Sequence, residues 1–367
     1  MRFLKMVKEA VKLGGIPLSH ALGRPVVPPS VAGVHLTGRC NSRCRMCNFW
    51  KSPEGVEDEL SLPEIRKALG ELRELGIQFL SFAAEGEIFT RPDACEIFAE
   101  ARNFGFDYSI NTNGLYLPED FVRNIHKLAP YLVVFGLDTA DPKNYEEIRG
   151  IPRGLEKVLD SIRRLKAQGY HSLSIGSVVL HNNLHQLLDL CRLAQKEGVQ
   201  NIRFTAFSPI GFGKTWESDE LSGYYDPHYL KELKDTIGQL LEFKCQYGII
   251  SNSNCYLTEI PNYYESHFQY FPLNCIVGYY NVQIMPNGDV TICSYRRPSS
   301  IIGNVKRDSL LELWSSDKAN EEWLKIKNKS CPTCWMSCFA ENNMRFSIRR
   351  GIASNVTALR RSCTYKL

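Results

Sequence analysis

The chain has 367 residues, of which 44% are apolar and 23% are charged. A chain of this length and composition buries roughly three quarters of its unfolded surface, which excludes disordered and fibrous classes and predicts one large and one small domain. Lysine and arginine exceed aspartate and glutamate by only four charges, so the net charge gives no reason to expect nucleic-acid binding.

The cysteines are the most informative part of the composition. There are 13 of them, an odd number. The chain has no apolar run of about 18 residues that would span a membrane, and its beginning lacks the pattern of a signal peptide. We therefore expect a cytoplasmic protein, in which disulfides rarely persist and cysteines more often bind metal or carry thiol chemistry.

Apolar runs rich in valine, isoleucine and phenylalanine alternate with segments of helical periodicity between residues 31 and 207. The predicted strands are Val34–Thr37, Ile77–Ala83, Phe106–Asn111, Leu132–Leu137, Leu173–Val179 and Ile202–Ala206. Six repeated βα units predict an α/β fold, a partial TIM-like (β/α)6 barrel over residues 31–215. Functional residues of such barrels lie at the carboxyl ends of the strands.

Two of the helices between these strands have recognisable ends. One begins after Ser61, where Glu64 completes a capping box, and ends at Gly76. Another is predicted near Gly154–Gln168, with Gly169 at its end.

The repeat breaks down over residues 216–274, which are rich in tyrosine. One helix is predicted near Pro227–Tyr247, and we interpret the region as a linker or lid whose aromatic side chains pack rather than bind substrate. A small α+β cysteine-rich module is predicted over residues 275–367. Asn287-Gly288 between two apolar strands predicts a hairpin there, and a short helix is expected near Leu310–Trp314.

Three closely spaced cysteines, Cys40, Cys44 and Cys47, follow the first predicted strand. Thiolates at this spacing suit an iron–sulfur cluster or zinc, because both select soft sulfur ligands. Three protein ligands would leave one iron of a four-iron cluster open to a cofactor or substrate. A buried helical face and a three-cysteine zinc site are the alternatives, although the polar residues between the cysteines favour a loop.

With this motif directly after the first strand, the chain resembles the radical S-adenosylmethionine (SAM) superfamily. The resemblance implies that the three cysteines hold a [4Fe-4S] cluster whose fourth iron binds the amino and carboxylate groups of SAM. It implies an enzyme in which an electron from the cluster splits SAM, and the 5′-deoxyadenosyl radical takes a hydrogen atom from substrate. Met46 stands where the family usually has an aromatic residue, and its thioether can still pack against adenine.

Other strand ends resemble the SAM-binding segments of the family. Gly86 and Glu87 match part of its Gly-Gly-Glu-Pro segment, while Glu85 and Ile88 replace the first glycine and the proline. The residues for which the resemblance implies SAM contacts are Gly86, Glu87, Asn111, Asn113, Asp138, Arg149 and Ser177. The resemblance assigns Ser177 to the ribose hydroxyls of SAM. Solvated loop carboxylates and ordinary turns are the alternative for these positions.

A second set of cysteines resembles the SPASM and Twitch modules of the family, which bind auxiliary iron–sulfur clusters. The thiols that the resemblance assigns to one auxiliary [4Fe-4S] cluster are Cys275, Cys293, Cys331 and Cys334. The pattern is one cysteine short of the two-cluster SPASM form, which favours the one-cluster Twitch form. Cys338 and Cys363 would then be spare, or Cys338 would substitute for one of the four. A four-cysteine zinc ribbon is the alternative.

Both ends of the chain are basic. Lysine and arginine recur at helical spacing within the N-terminal extension, residues 1–30, and are frequent after residue 339. Either stretch could rest on a membrane surface; packing on the barrel or a solvated helix would explain them as well.

We expect a radical SAM oxidoreductase-type enzyme acting on a small polar metabolite or on a lipid or sugar group, with flavodoxin or ferredoxin as reducing partner. The family associates Twitch modules with such substrates, and only 39 residues precede Cys40, too few for the winged-helix element of many peptide-modifying relatives. A peptide-modifying SPASM enzyme and a non-catalytic iron–sulfur or zinc protein are the alternatives. No catalytic base is assigned; His181, Glu85 and Tyr279 are available.

Overall fold

The computed structural model describes residues 14–51, 56–83, 85–209, 219–330 and 334–346. Its strands are β1 (Val31–His35), β2 (Phe79–Ala83), β3 (Asp107–Thr112), β4 (Leu132–Gly136), β5 (Leu173–Val179), β6 (Asn201–Ala206), β7 (Asn281–Ile284), β8 (Asp289–Thr291) and β9 (Ile301–Asn304). Its helices are α1 (14–22), α2 (Leu62–Glu74), α3 (Ala94–Asn103), α4 (Glu119–Arg123), α5 (Ile125–Leu128), α6 (Pro142–Arg149), α7 (Gly154–Ala167), α8 (Leu187–Glu197), α9 (Pro227–Tyr247), α10 (Asn254–Glu265), α11 (Val277–Tyr280), α12 (Leu310–Trp314), α13 (Asp317–Lys327) and α14 (Ser337–Phe346).

All nine strands form one sheet in the order β6-β5-β4-β3-β2-β1-β7-β8-β9. The first six are parallel to their neighbours, with helices in the connections, which confirms the α/β class and the six-strand unit. Only the strand ends differ, and β1 begins three residues earlier than predicted. Among the described residues no helix is both long and apolar enough to cross a membrane.

Local sequence explains where two of the helices end. Ser61 and Glu64 form the predicted capping box of α2, and Gly76 follows that helix with a φ of 93°. Gly169 follows α7 with a φ of 78°. Glycine is favoured at both positions because a side chain destabilises this left-handed conformation.

The two faces of the parallel strands differ in side-chain size. Phe82 and Tyr108 are buried and contact Phe98 of α3, so their face of the sheet packs against the helices. The alternate positions define the lumen face, whose small residues include Gly33, Ser81, Ser109, Gly136 and Gly176. Ordinary (β/α) barrels fill this space with bulky branched side chains. In this chain the face is instead lined by small residues, of which Gly33 is covered by the Gln283 side chain and Gly136 by the Arg149 guanidinium.

The C-terminal cysteine-rich module continues the barrel sheet. The predicted hairpin at Asn287-Gly288 is present, and its first strand, β7, pairs in parallel with β1 from Val31 opposite Asn281 to Val34 opposite Ile284. The sequence did not predict this pairing, which links strands about 250 residues apart. It places the C-terminal hairpin directly beside the strand that leads into the first cysteine cluster.

The tyrosine-rich region contains a helix, α10, that the sequence analysis missed. The helix includes Pro261, and all three of its tyrosines are fully buried. The Tyr256 hydroxyl accepts a hydrogen bond from the N–H of Ala206, the last residue of β6, and the Tyr264 hydroxyl accepts one from the N–H of Phe207, the next residue. These aromatic side chains therefore pack against the end of the barrel, as the packing interpretation holds. The predicted domain boundary at residue 215 lies outside the described residues.

Candidate active site

The first cysteine cluster occupies the loop that follows β1. Cys44 is buried, and Cys40 and Cys47 are half-buried. The Ser42 N–H donates to the Cys40 sulfur over 3.4 Å, and the Ser42 hydroxyl lies 3.3 Å from the Cys44 sulfur. Burial raises the pKa of Cys40 to about 11, and the neighbouring Cys44 and Cys47 thiols act in the same direction. Metal ions stabilise deprotonated thiols, so bound iron would hold these three side chains as thiolates.

A buried ion pair lies against this loop. The Arg149 guanidinium, at the end of α6, donates to the Asp138 carboxylate over 2.7 and 2.6 Å. Asp138 is fully buried just after β4 and also accepts from the Val178 N–H over 2.8 Å. The Arg149 guanidinium is 3.9 Å from the Cys44 sulfur. A cation fixed at this distance would offset part of the negative charge of a thiolate-bound cluster.

The backbone at the end of α6 also holds the cysteine loop. The carbonyl of Arg149 accepts hydrogen bonds from the Arg43 N–H over 3.1 Å and from the Ser42 hydroxyl over 3.0 Å. Gly150 follows with a φ of 69°, and a Cβ there would lie 2.8 Å from the Arg43 carbonyl oxygen. The predicted Arg149-Gly150 pair thus supports the cluster loop, and its contact with SAM stays a prediction.

The loop after β2 approaches the cysteine loop even more closely. A Cβ at Gly86 would lie 1.8 Å from the Arg39 carbonyl oxygen, so a side chain is sterically excluded. The Gly86 N–H donates to the Thr37 carbonyl over 3.3 Å, and the Glu87 N–H donates to the Arg39 carbonyl over 2.6 Å. The missing first glycine of the family segment therefore does not prevent the backbone contact.

Glu87 is buried, with 2% exposure. Its carboxylate accepts hydrogen bonds from the Thr112 hydroxyl and the Asn113 N–H, both over 2.6 Å, and from the Phe89 N–H over 3.3 Å. Burial raises its pKa, although these hydrogen bonds act in the opposite direction. The Asn113 side chain continues the network by donating to the Asn41 side chain of the cysteine loop over 2.7 Å. Glu87 and Asn113 thus lie together beside the first cluster.

Asn111 and Ser177 differ in position from one another. Asn111 is exposed on the lumen face of β3, where its amide donates to the Phe82 carbonyl over 3.2 Å. Ser177 lies with the buried Ile175 and Val179 on the helix-facing side of β5, and its buried hydroxyl has no hydrogen-bond partner among the described residues. The contact of Ser177 with ribose stays a prediction, and the face on which this side chain lies does not favour it.

The second cysteine set surrounds a separate cavity of about 90 Å³. Cys275, Cys293 and Cys334 line it together with aromatic and aliphatic side chains, with Lys329, and with Arg296, which is ion-paired with the buried Glu322. Three soft donors, apolar walls and nearby cations fit an anionic iron–sulfur cluster. In the described part of the chain, no three His, Cys, Asp or Glu side chains converge on a single-ion site.

The remaining cysteine predictions are less complete. Cys331 and Cys363 lie outside the described residues, as do residues 1–13 and the end of the basic tail. Cys338 is not among the residues that line the cavity. Cys338 is exposed to solvent. Its role as an alternative cluster ligand stays a prediction.

The available general bases differ in their surroundings. Tyr279 is fully buried, and its hydroxyl donates to the Trp323 carbonyl over 2.8 Å, so its availability as a base is contradicted. Glu85 is ion-paired with Arg297 of the C-terminal module. His181 is exposed, with its ring 5.8 Å from that of Tyr224. None of the three is thereby identified as a catalytic base.

The polar partners of Glu85 were not predicted from the sequence. Arg297 lies four residues after Cys293, in the loop that follows β8. On the same side of the lumen, the His35 ring nitrogen Nε2 lies 2.9 Å from the Gln283 side-chain oxygen. Burial lowers the pKa of His35, which favours the neutral ring. Nothing in the local sequence signals these contacts, because each joins the barrel to the C-terminal module across more than 200 residues.

Comparisons with known proteins agree with this arrangement. A family model described as the radical SAM superfamily matches residues 34–194, and one described as an iron–sulfur cluster-binding domain, SPASM, matches residues 275–338. The chain is 24% identical over 294 residues to the AdoMet-dependent heme synthase of Methanosarcina barkeri, covering 78% of this chain and 82% of that protein. It is 24% identical over 317 residues to the PqqA peptide cyclase of Granulibacter bethesdensis, and the match covers 83% of this chain and 80% of that protein.

Among solved structures, the chain is similar to Streptococcus suis SuiB bound to its precursor peptide SuiA. The TM-score is 0.66 at 17% identity, and the match covers 88% of this chain and 72% of that one. At this identity the likeness concerns the fold alone.

Proposed function

Because the chain belongs to the radical SAM superfamily and carries a SPASM iron–sulfur domain, we propose that it abstracts a hydrogen atom from a substrate held between two cluster sites. Its cofactors are a [4Fe-4S] cluster, SAM and an auxiliary iron–sulfur cluster. When bound, the first cluster and SAM supply reductive cleavage of the sulfonium and a carbon-centred oxidant for the substrate. The proposal depends on one observation: the loop after β2 and the end of α6 both make hydrogen bonds with the three-cysteine loop.

The residues of the chain have distinct tasks in this proposal. Cys40, Cys44 and Cys47 hold the first cluster as its three protein ligands. Arg149, itself held by Asp138, orients the cysteine loop through its backbone and offsets negative charge at Cys44 through its side chain. Because both members of the ion pair are buried, this positive charge stays fixed beside the sulfur.

SAM is proposed to bind where the β2 loop meets the β3 end. The Glu87 carboxylate, held by Thr112 and Asn113, is proposed to receive the ammonium group of SAM. An arriving cation would stabilise the ionised carboxylate, whose pKa burial otherwise raises. Gly86 contributes by its lack of a side chain, which keeps the two loops in contact.

The auxiliary cluster is proposed to lie in the cavity lined by Cys275, Cys293 and Cys334. Lys329 favours a more reduced, more negative cluster there, because positive charge stabilises added electrons, while the charge of Arg296 is offset by its buried ion pair with Glu322. An auxiliary cluster beside the lumen suits a reaction in which the substrate radical loses an electron. Oxidation of the substrate is therefore the proposed outcome. Cys331 is proposed as the fourth thiolate ligand of the auxiliary cluster.

A peptide is the first substrate class that we propose. PqqA peptide cyclase acts on a peptide, as its name states, and its similarity covers 83% of this chain. The preference for a small polar metabolite, lipid or sugar group, drawn from the sequence, rested on the Twitch resemblance and on the short segment before Cys40. The heme synthase relative keeps a small molecule as the second candidate.

The proposal is tested on the anaerobically reconstituted protein, reduced with dithionite and supplied with SAM. We expect about eight irons per chain, from two four-iron clusters, together with release of 5′-deoxyadenosine. Zinc in the protein without nucleoside release would contradict the proposal and support the non-catalytic alternative. Deuterated candidate peptides and metabolites then identify the substrate, because the true one transfers deuterium into the released nucleoside.

A further inference from the structure

An arginine stands at the end of the row of small residues on the lumen face. Gly136 of β4 lies opposite Gly176 of β5, and Gly176 lies opposite Arg203 of β6. Arg203 alternates with the buried Ile202 and Phe204, so its side chain leaves β6 on the lumen side. Gly176, on the neighbouring strand, has no side chain to cover Arg203, and Arg203 is exposed.

The guanidinium of Arg203 has no carboxylate partner and no hydrogen-bond acceptor within the described ranges. Its electrostatic neighbour is the thiol of Cys338 at the start of α14. That helix is held against β6 by a 2.7 Å hydrogen bond between the hydroxyls of Thr205 and Ser337. Arg203 is thus placed at the boundary between the lumen and the C-terminal module.

The auxiliary cavity adjoins the same helix. Cys334, which lines that cavity, precedes Ser337 by three residues, and Phe339 of α14 packs its ring 5.4 Å from that of Tyr295 at the cavity wall. The charge of Arg297, in the loop that follows β8, is compensated by Glu85. Of Arg203 and Arg297, Arg203 is therefore the one whose charge remains for a ligand.

We propose that Arg203 binds a carboxylate of the substrate and so holds the reacting part of that molecule between the two cluster sites. The inference rests on the proposed function, because it concerns the substrate of the same site. A guanidinium binds a carboxylate through two parallel charge-assisted hydrogen bonds, which fixes orientation as well as position. The carboxylate belongs either to an acidic residue of a peptide or to a free small acid.

The test uses phenylglyoxal, which modifies accessible arginines, on the anaerobic holoenzyme without turnover. Modification is followed by mass spectrometry at Arg203 and at Arg307, an exposed arginine on the outer turn after β9 that serves as the matched control. The protecting probes are free glutarate, the capped peptide acetyl-Gly-Glu-Gly-amide and its neutral counterpart acetyl-Gly-Gln-Gly-amide.

We expect a carboxylate probe to slow modification of Arg203 and not of Arg307. Better protection by the glutamyl peptide identifies a peptide source, and better protection by glutarate a free acid. By calorimetry, Arg203→Gln should bind the protecting probe at least about tenfold more weakly, as expected for loss of a charge-assisted pair, while Arg307→Gln should bind it normally.

The inference is overturned if both arginines react alike with every probe, if the neutral peptide protects equally, or if SAM alone protects Arg203. Because protection is measured without turnover, its outcome is separate from that of the proposed function. A holoenzyme that releases no 5′-deoxyadenosine contradicts the function, whereas one that releases nucleoside with an unprotected Arg203 contradicts only this assignment.

Discussion

Replacing Gly86 by alanine tests how closely the loop after β2, the proposed SAM-binding segment, must approach the cysteine loop. The added Cβ would lie 1.8 Å from the Arg39 carbonyl oxygen and 2.3 Å from its carbonyl carbon, where Cβ contacts shorter than 3.0 Å essentially never occur. The loops must therefore separate by at least about 1.2 Å, and the obstacle is backbone that cannot rotate away. Because a misplacement of about 1 Å can cost a hundredfold in rate, we expect SAM cleavage to fall by about that factor.

The assay is release of 5′-deoxyadenosine by the reduced holoenzyme, with iron content and auxiliary-cluster absorption as measures of folding. Gly238→Ala is the matched control, because that glycine is exposed on α9 with nothing within 4 Å of an added Cβ. Alanine there should favour the helix by about 1 kcal/mol and leave cleavage unchanged. Wild-type cleavage by Gly86→Ala would refute the close contact of the two loops.

Three further perturbations probe the assignments. Cys44→Ala should abolish nucleoside release while the auxiliary cluster stays visible by absorption. Cys293→Ala should retain SAM cleavage but yield no product. Equal behaviour of the two variants would contradict the assignment of Cys44 and Cys293 to different clusters. Asp138→Asn leaves a buried guanidinium without its anion, so the melting temperature should fall as for a loss of about 3–5 kcal/mol, with less iron in the first cluster; an unchanged melting curve would argue against the buried pair. Glu85→Arg and Arg297→Glu should each lower the melting temperature and the double charge swap should restore part of it; additive losses would show that the two side chains are not coupled.

The strand-and-helix order could be predicted because it is written in local pattern. The capping box at Ser61 and the Asn287-Gly288 turn are set by residues within a few positions of each other, and both are present. Helix α10, which was not predicted, depends instead on contacts with residues distant in the sequence. Pro261 and a run of tyrosines favour a loop locally, but burial of those rings against the end of β6 stabilises the helix.

The contacts between the barrel and the C-terminal module could not be predicted. Glu85 looked like a departure from a glycine motif, and its role is clear only beside Arg297, 212 residues away. The parallel pairing of β7 with β1 is equally non-local, because any strand with a similar apolar pattern could compete for that edge. Periodicity predicts which residues lie on each face of a strand, but it does not predict which other strand pairs with it.

In the candidate site, too, the features set by local pattern could be predicted and those set by distant contacts could not. Strand ends correctly located Glu87, Asn113 and Asp138 near the cysteine loop, because parallel strands bring their carboxyl ends to one edge. Tyr279 was misjudged, since a tyrosine that packs and one that faces a substrate have the same sequence appearance. Arg203 was overlooked because a single arginine in a strand carries no motif.

Electron paramagnetic resonance of the reduced Cys293→Ala protein, recorded with and without SAM, tests whether the first cluster keeps one iron open for SAM. That variant isolates the signal of the cluster that we assign to Cys40, Cys44 and Cys47, so any change on adding SAM arises at that cluster. We predict a clear shift of the signal, as SAM takes the iron that lacks a protein ligand. An identical spectrum in the two samples, or a fourth side chain bound to that iron, would contradict it.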